Sequence, residues 1–241
     1  VEMPSGRYYC KVCGPAFLME GVQRDYFREM FESILYFERL PKAGDVERVI
    51  KRLVSEDFSR WWFLLESYGV YQFWNEEYIK CLADEIKRRV GEALVLEVAA
   101  GDGMLSFWLR KHGVNVLATD SGKWYDKIKR RAKVEIIDAV SAIKKYKPKM
   151  VIASWLPVGE TLDIEIFDAC ASIGVPYIIL IGETNGACGS AKFWDEEYWI
   201  KVGYKLDFLG CDKWNFCRTD WWSPTTDWFF HSSTLIFTLT K

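Results

Sequence analysis

The 241-residue chain contains no apolar run near the about 20 residues that span a bilayer, and no signal-peptide pattern opens it. Neither a membrane anchor nor secretion is therefore expected. It has no Asn-x-Ser/Thr sequon and no excess of either charge, with 32 basic against 34 acidic residues. A net charge of -2 with both signs interspersed gives no support for a polyanion-binding surface. There are two histidines, His112 and His231, and each stands alone, so neither is taken as a base or a ligand. No second Cys-x-x-Cys accompanies Cys10 and Cys13, and Cys211 and Cys217 are spaced too widely for the usual partner turn of a zinc ribbon. A site from Cys10, Cys13, Cys211 and Cys217 is the arrangement left open, and no metal is expected. The seven cysteines are odd in number and scattered, which reads as mostly reduced thiols in a cytoplasmic protein. Internal repeats and low-complexity linkers are also missing.

Half of the residues are hydrophobic, enough for one large core. Tryptophan is abundant, at twelve, with Trp194, Trp199, Trp214, Trp221, Trp222 and Trp228 late in the chain. Such rings serve core packing, and the alternative is an aromatic-lined pocket. Residues 1–67 read as an N-terminal helical segment. Tyr26, Phe27, Met30, Phe31, Ile34, Leu35 and Phe37 recur near a period of 3.6 within 21–40. Pro41 to Gly44 breaks that pattern. Asp45 is placed to cap a second helix, running unbroken to Gly69, and a third runs from about Asn75 to Val90, closed by Gly91.

From Ala93 short apolar runs alternate with amphipathic stretches. ALVLEVAA, VNVLATD, VEIID, MVIASWL and YIILIGE read as strands, and the stretches between them as helices. Val95-Leu96 and 177–181 are apolar on both parities, as in strands covered on two faces. The order is βαβ with a mostly parallel sheet, and YKLDFL and HSSTLIFTL read as a closing antiparallel pair.

In such sheets the ligand lies beyond the strand C-termini, where the first loop enters the first helix. Gly101 and Gly103 leave backbone that a ligand can approach, and amide N–H groups at the helix start suit a carboxylate or phosphate. Asp120, 17 residues after Gly103, ends the next strand, where an acid accepts hydrogen bonds from both ribose hydroxyls. A dinucleotide site wants Gly-x-Gly-x-x-Gly, and the third position from Gly101 is Ser106. Glu97, four residues before Gly101, suits a ligand carrying an ammonium group.

The run Glu97-Val98-Ala99-Ala100-Gly101-Asp102-Gly103 resembles the first motif of class I S-adenosylmethionine-dependent methyltransferases, with Ala99 where the first glycine usually stands. The segment 68–241 is similar to a little-characterised microbial methyltransferase-like family. The features in common are the aromatic-rich YGVYQFW ahead of the first strand, the glycine motif, Asp120, the turn Ser154-Trp155-Leu156-Pro157, and IGETNGACGSAKFW. Leu156 stands where that family has proline.

The resemblance implies a Rossmann-like class I methyltransferase sheet over 68–241, S-adenosyl-L-methionine as cofactor, and methyl transfer to an acceptor the sequence does not name. The expected cofactor contacts are Glu97, Ala99, Ala100, Gly101, Gly103, Asp120, Ser121, Asp138, Ser154 and Tyr71. Asp138 is equally well placed as a helix cap. Trp155, Glu183 and Ser154 are the expected catalytic residues, with Glu160 a further candidate, because the fourth and fifth strands end where the methyl group would pass. Trp155 would wall the pocket or face the sulfonium; Glu183 would act as base or orient the acceptor. Tyr68, Tyr71, Gln72 and Trp74 are placed to close over the pocket, or equally to pack against the sheet edge. A small-molecule or protein acceptor is expected rather than nucleic acid, since Lys127, Lys129, Arg130, Arg131 and Lys133 read as a solvated helix face. The alternative reading is a non-catalytic module of the same fold, motivated by Ala99 and Leu156.

Overall fold

A computed structural model describes residues 25–35, 39–123, 131–184, 188–218, 220 and 232–240, and the backbone of two short N-terminal strands. Those strands, β1 (Tyr9–Cys10) and β2 (Gly14–Pro15), pair antiparallel. Cys13, Lys127, Lys129, Arg130, Trp221, Trp222, Trp228 and His231 lie outside the described residues, as does the side chain of Cys10.

Three helices follow, α1 (Tyr26–Ser33), α2 (Ala43–Glu56) and α3 (Phe58–Tyr68). The single helix expected up to Gly69 is broken at Asp57. That residue is extended, at φ -159°, and its carboxylate accepts the Arg60 N–H at 3.0 Å, so it caps α3. Asp45 falls in the first turn of α2 instead of capping it. Gly69, at φ 61°, closes α3 in the left-handed conformation. The apolar stripes of the three helices meet Phe73 in one cluster, with Phe31, Ile50, Leu53, Trp61 and Leu65 sealed from solvent. Phe73 belongs to β3 (Gln72–Phe73), after which Asn75 caps α4 (Glu76–Val90).

The rest alternates as expected: β4 (Val95–Val98), α5 (Met104–Lys111), β5 (Val116–Asp120), β6 (Glu135–Ile136), α6 (Ala139–Tyr146), β7 (Met150–Ser154), α7 (Leu162–Ile173) and β8 (Tyr177–Glu183). Two short helices, α8 (Ala191–Asp195) and α9 (Tyr198–Lys201), lead to β9 (Tyr204–Phe208), β10 (Phe216–Cys217) and β11 (Ser232–Leu239). Seven strands form one sheet in the order β6-β5-β4-β7-β8-β11-β9. The first five run parallel, and β11 is antiparallel to β8 and β9. This is the mostly parallel Rossmann-like sheet with an antiparallel closing strand that the sequence implies. β10 pairs with β3 away from that sheet.

Strand residues alternate between two buried layers. Leu96, Val98, Val151, Ile178 and Phe237 pack with α6 and α7, and Val95, Val116, Ile152, Ile179 and Ile236 with α4 and α5. No helix among the described residues is long and apolar enough to cross a membrane.

Two of the cysteines, expected to be mostly reduced, are oxidised. Cys81 of α4 and Cys211, which follows β9, are joined by a disulfide across 130 residues, with Cα atoms 5.8 Å apart. Packing of α4 against the turn after β9 brings them together. The four-cysteine site left open by the sequence is therefore not formed, because the Cys211 sulfur is already bonded. Cys170 and Cys188 are buried free thiols, and the buried Cys217 thiol donates to Asp220 Oδ1 at 2.9 Å.

Candidate cofactor site

The parallel strands end on one edge, and the chain turns sharply after β4 and β7. Beyond β4, Ala99 (φ 50°), Gly101 (φ 53°) and Gly103 (φ 77°) all occupy the left-handed region. For Ala99 that conformation costs roughly 1–2 kcal/mol, which a glycine would not incur.

The Gly101 N–H donates to Asp120 Oδ2 at 3.0 Å, and the Gly122 N–H donates to Oδ1 at 2.7 Å. Asp120 is 8% exposed. Its carboxylate thus ties two loops together, and each oxygen keeps a lone pair for a further donor.

Gly103 differs from expectation. A Cβ there would lie 2.6 Å from Val134 Cγ2 and 3.3 Å from Ala132 Cβ, and its N–H donates to the Ala100 carbonyl at 2.9 Å. It is bare so that the 131–134 segment can pack on it, and it offers a ligand neither an open face nor an N–H. The neighbouring Asp102 secures that segment. Its carbonyl accepts from Arg131 N–H and Ala132 N–H, and its carboxylate pairs with the Arg131 guanidinium, Nε to Oδ2 at 2.8 Å.

Glu97 is 2% exposed, and Oε2 accepts the Ser106 N–H at 3.0 Å and the Ser106 hydroxyl. Burial pushes its carboxyl up to about 8 against these bonds, so it stands mostly protonated at neutral pH. Ser106, where a dinucleotide motif would carry its third glycine, thus holds Glu97 in place.

A cavity of about 720 Å³ opens over this turn. Glu97, Ala99, Ala100, Gly101 and Asp120 line one end, Ser154, Trp155 and Pro157 another, and Tyr71, Gln72 and Trp74 a third side. A second hollow of about 410 Å³ continues from it past Asp120 to Ser121, Asp138 and Ala139, sharing Ala99, Pro157 and Glu160. Nine of the ten expected cofactor contacts line one hollow or the other, Gly103 being the exception. Asp138 is also the cap of α6: its Oδ1 accepts the Ser141 N–H at 2.9 Å, and that bond holds its carboxyl below the usual range.

Trp155 follows β7 at φ 53° and lines the larger cavity. Its ring sits 5.6 Å from that of Tyr71, tilted by 41°. Glu183 does not join it. The Trp155 backbone N–H donates to the Ile181 carbonyl at 2.8 Å, which packs the turn on β8. Glu183, 1% exposed, lines instead a pocket of about 20 Å³ with Ala153, Leu156 and Cys188, which has room for little more than a water.

Sequence reasoning missed Asn215, Arg218 and Glu66. Arg218 lies over the rings of Trp62 (4.7 Å) and Tyr71 (4.8 Å), pairs with Glu66, and lines the cavity mouth. No local pattern marks these residues, since they reach the site from 152 positions apart. Among the described residues no group of three or more His, Cys, Asp or Glu is placed to hold a metal ion.

No protein-family model matches the chain, and no curated protein does. Solved structures similar to it include human N-acetylserotonin methyltransferase in complex with S-adenosylmethionine, at 8% identity and TM-score 0.44, over 68% of this chain and 52% of that one. The chain thus spans about half the length of that enzyme. They also include magnesium protoporphyrin IX methyltransferase from Synechocystis with the same ligand bound (16% identity, TM-score 0.43, 68% of this chain and 80% of that one). A putative S-adenosylmethionine-dependent methyltransferase from Listeria monocytogenes is similar at 10% identity and TM-score 0.43, over 68% of this chain and 99% of that one. In strand order and direction the sheet is Rossmann-like, five parallel strands closed by an antiparallel one.

Proposed function

We propose that the protein binds S-adenosyl-L-methionine in the joined hollows and transfers its methyl group to a separate acceptor. The observation that carries this is the cavity itself. One continuous space is lined by the Ala99–Gly101 turn, the Asp120 carboxylate and the Ser154-Trp155 corner. The donor set fits the ligand. Gly101 presents a face without side chain, Asp120 has acceptor capacity for two sugar hydroxyls, and Asp138 and Ser121 line the far hollow where a base would lie. The Gly101 and Gly103 N–H groups are already bonded within the protein, so neither is left to cradle a pyrophosphate.

Bound there, the cofactor supplies a methyl group activated by a positive sulfonium. The chain's own part is to hold, orient and exclude water. Asp120 grips the sugar. Trp155 and Tyr71 wall the space beyond the β7 corner, and Trp155 offers a ring face to positive charge. Ser154 lines the same wall and can orient an acceptor atom. Glu183 has no part in this, being closed off. The acceptor in this proposal is a small molecule or a protein. Of the basic cluster weighed for nucleic acid, Arg131 pairs with Asp102.

Calorimetric titration tests the proposal. The protein should bind S-adenosylmethionine and S-adenosylhomocysteine at one site, and Asp120→Ala should weaken both by about 1–3 kcal/mol through loss of charge-assisted hydrogen bonds. Binding of neither ligand by the unaltered protein rejects the proposal, and unchanged affinity in the variant removes Asp120 from the site.

A further inference from the structure

The Trp155 side chain is held by a buried polar relay that begins outside the seven-stranded sheet. Its indole N–H donates to Gln72 Oε1 at 2.9 Å. An indole nitrogen is only a donor, so this contact fixes which end of the Gln72 amide faces Trp155. Gln72 Nε2 must then point the other way, where it donates to Asn215 Oδ1 and to the Phe216 carbonyl at 2.8 Å. That in turn fixes Asn215, whose Nδ2 donates to the Ser232 carbonyl at 3.0 Å. The chain of donors has one direction throughout. Gln72 is 7% exposed and Asn215 and Ser232 are fully buried, so a broken link leaves an unpaired polar group away from water.

From these contacts we infer that Gln72 is a positioning residue for the methyl-transfer site, acting through Trp155. The inference rests on the proposed function. Trp155 sits in the left-handed region, where the backbone alone does not favour it, and among the described residues the Gln72 carbonyl meets its ring edge and the Tyr71 ring lies against it. Gln72 itself is anchored by the β3–β10 pairing, in register with Cys217. A segment ahead of the sheet thereby places the aromatic wall of a pocket built at the sheet edge.

The experiment compares affinities for S-adenosylmethionine, which carries the positive sulfonium, and S-adenosylhomocysteine, which does not, by calorimetry on the full chain. Trp155→Phe and Gln72→Met should each lower the preference for S-adenosylmethionine at least fivefold relative to unaltered protein. The double variant should lower it no further than Trp155→Phe alone. A purely structural Gln72 would weaken both ligands alike; that result overturns the inference, as does an unchanged preference or additivity in the double variant. Should Gln72→Met fail to fold, Asn215→Ser, which frees the Gln72 amide to turn, takes its place with the same outcomes. Unaltered protein that binds neither ligand removes the function proposed above, and the inference with it. Binding with an unmoved preference removes the inference alone.

Discussion

At the scale of single residues, Glu97 shows how far a motif can be read. Its place before the glycine turn was legible from spacing, because the acid is the one charged residue in a strand whose other residues are apolar. Its state was not, because that depends on burial and on Ser106, nine positions on. The consequence for stability has a definite sign. The folded carboxyl titrates near 8 where an exposed one titrates near 4.5, so unfolding releases a proton between those values. Stability from this group is fully present below about pH 4.5, falls as pH rises, and is flat above about 8. Urea denaturation at pH 6 and pH 8 should show the protein losing up to about 2–3 kcal/mol relative to Glu97→Gln, which cannot ionise. A difference that does not change between those two pH values contradicts the assignment. Gly103 carries the opposite lesson: its spacing pointed to a ligand, yet Val134 fills the space a Cβ would take. Absence of a side chain marks close approach without saying what approaches.

At the scale of elements, the sheet was legible because strands covered on both faces read as unbroken apolar runs, and β8 is the plainest case. The α2–α3 junction was not, since the apolar period continues through it. What breaks the helix is one extended residue, Asp57, whose carboxylate caps the next. Asp57→Ala should cost about 1 kcal/mol, and Asp57→Asn much less, because the amide oxygen still accepts the Arg60 N–H. Chemical denaturation of the two variants measures this, and equal loss in both would point to the charge instead of the cap. The Trp155 corner was legible as a turn but not as an anchored one, for its partner Gln72 lies 83 residues earlier.

At the scale of the whole molecule, distant segments meet in ways that no local pattern records. Cys81 and Cys211 read as scattered thiols until α4 and the turn after β9 are packed together. Closing so long a loop restricts the unfolded chain, so reduction, or Cys81→Ser with Cys211→Ser, should lower stability by about 2–4 kcal/mol. Denaturation with and without reductant checks it, and coincident curves would deny the bond a role. The candidate site is assembled in the same manner, from the helical segment, the sheet edge and the strand that pairs with β3. Its central claim is that Asp120 and the bare face of Gly101 grip a sulfonium nucleoside. A crystal structure with S-adenosylhomocysteine tests that most directly. Both sugar hydroxyls should lie within hydrogen-bond distance of the Asp120 carboxylate, with the amino-acid end over Gly101 and the sulfur facing the Trp155 wall. A ligand seated elsewhere, with the Asp120 carboxylate touching only Gly101 and Gly122, would contradict it.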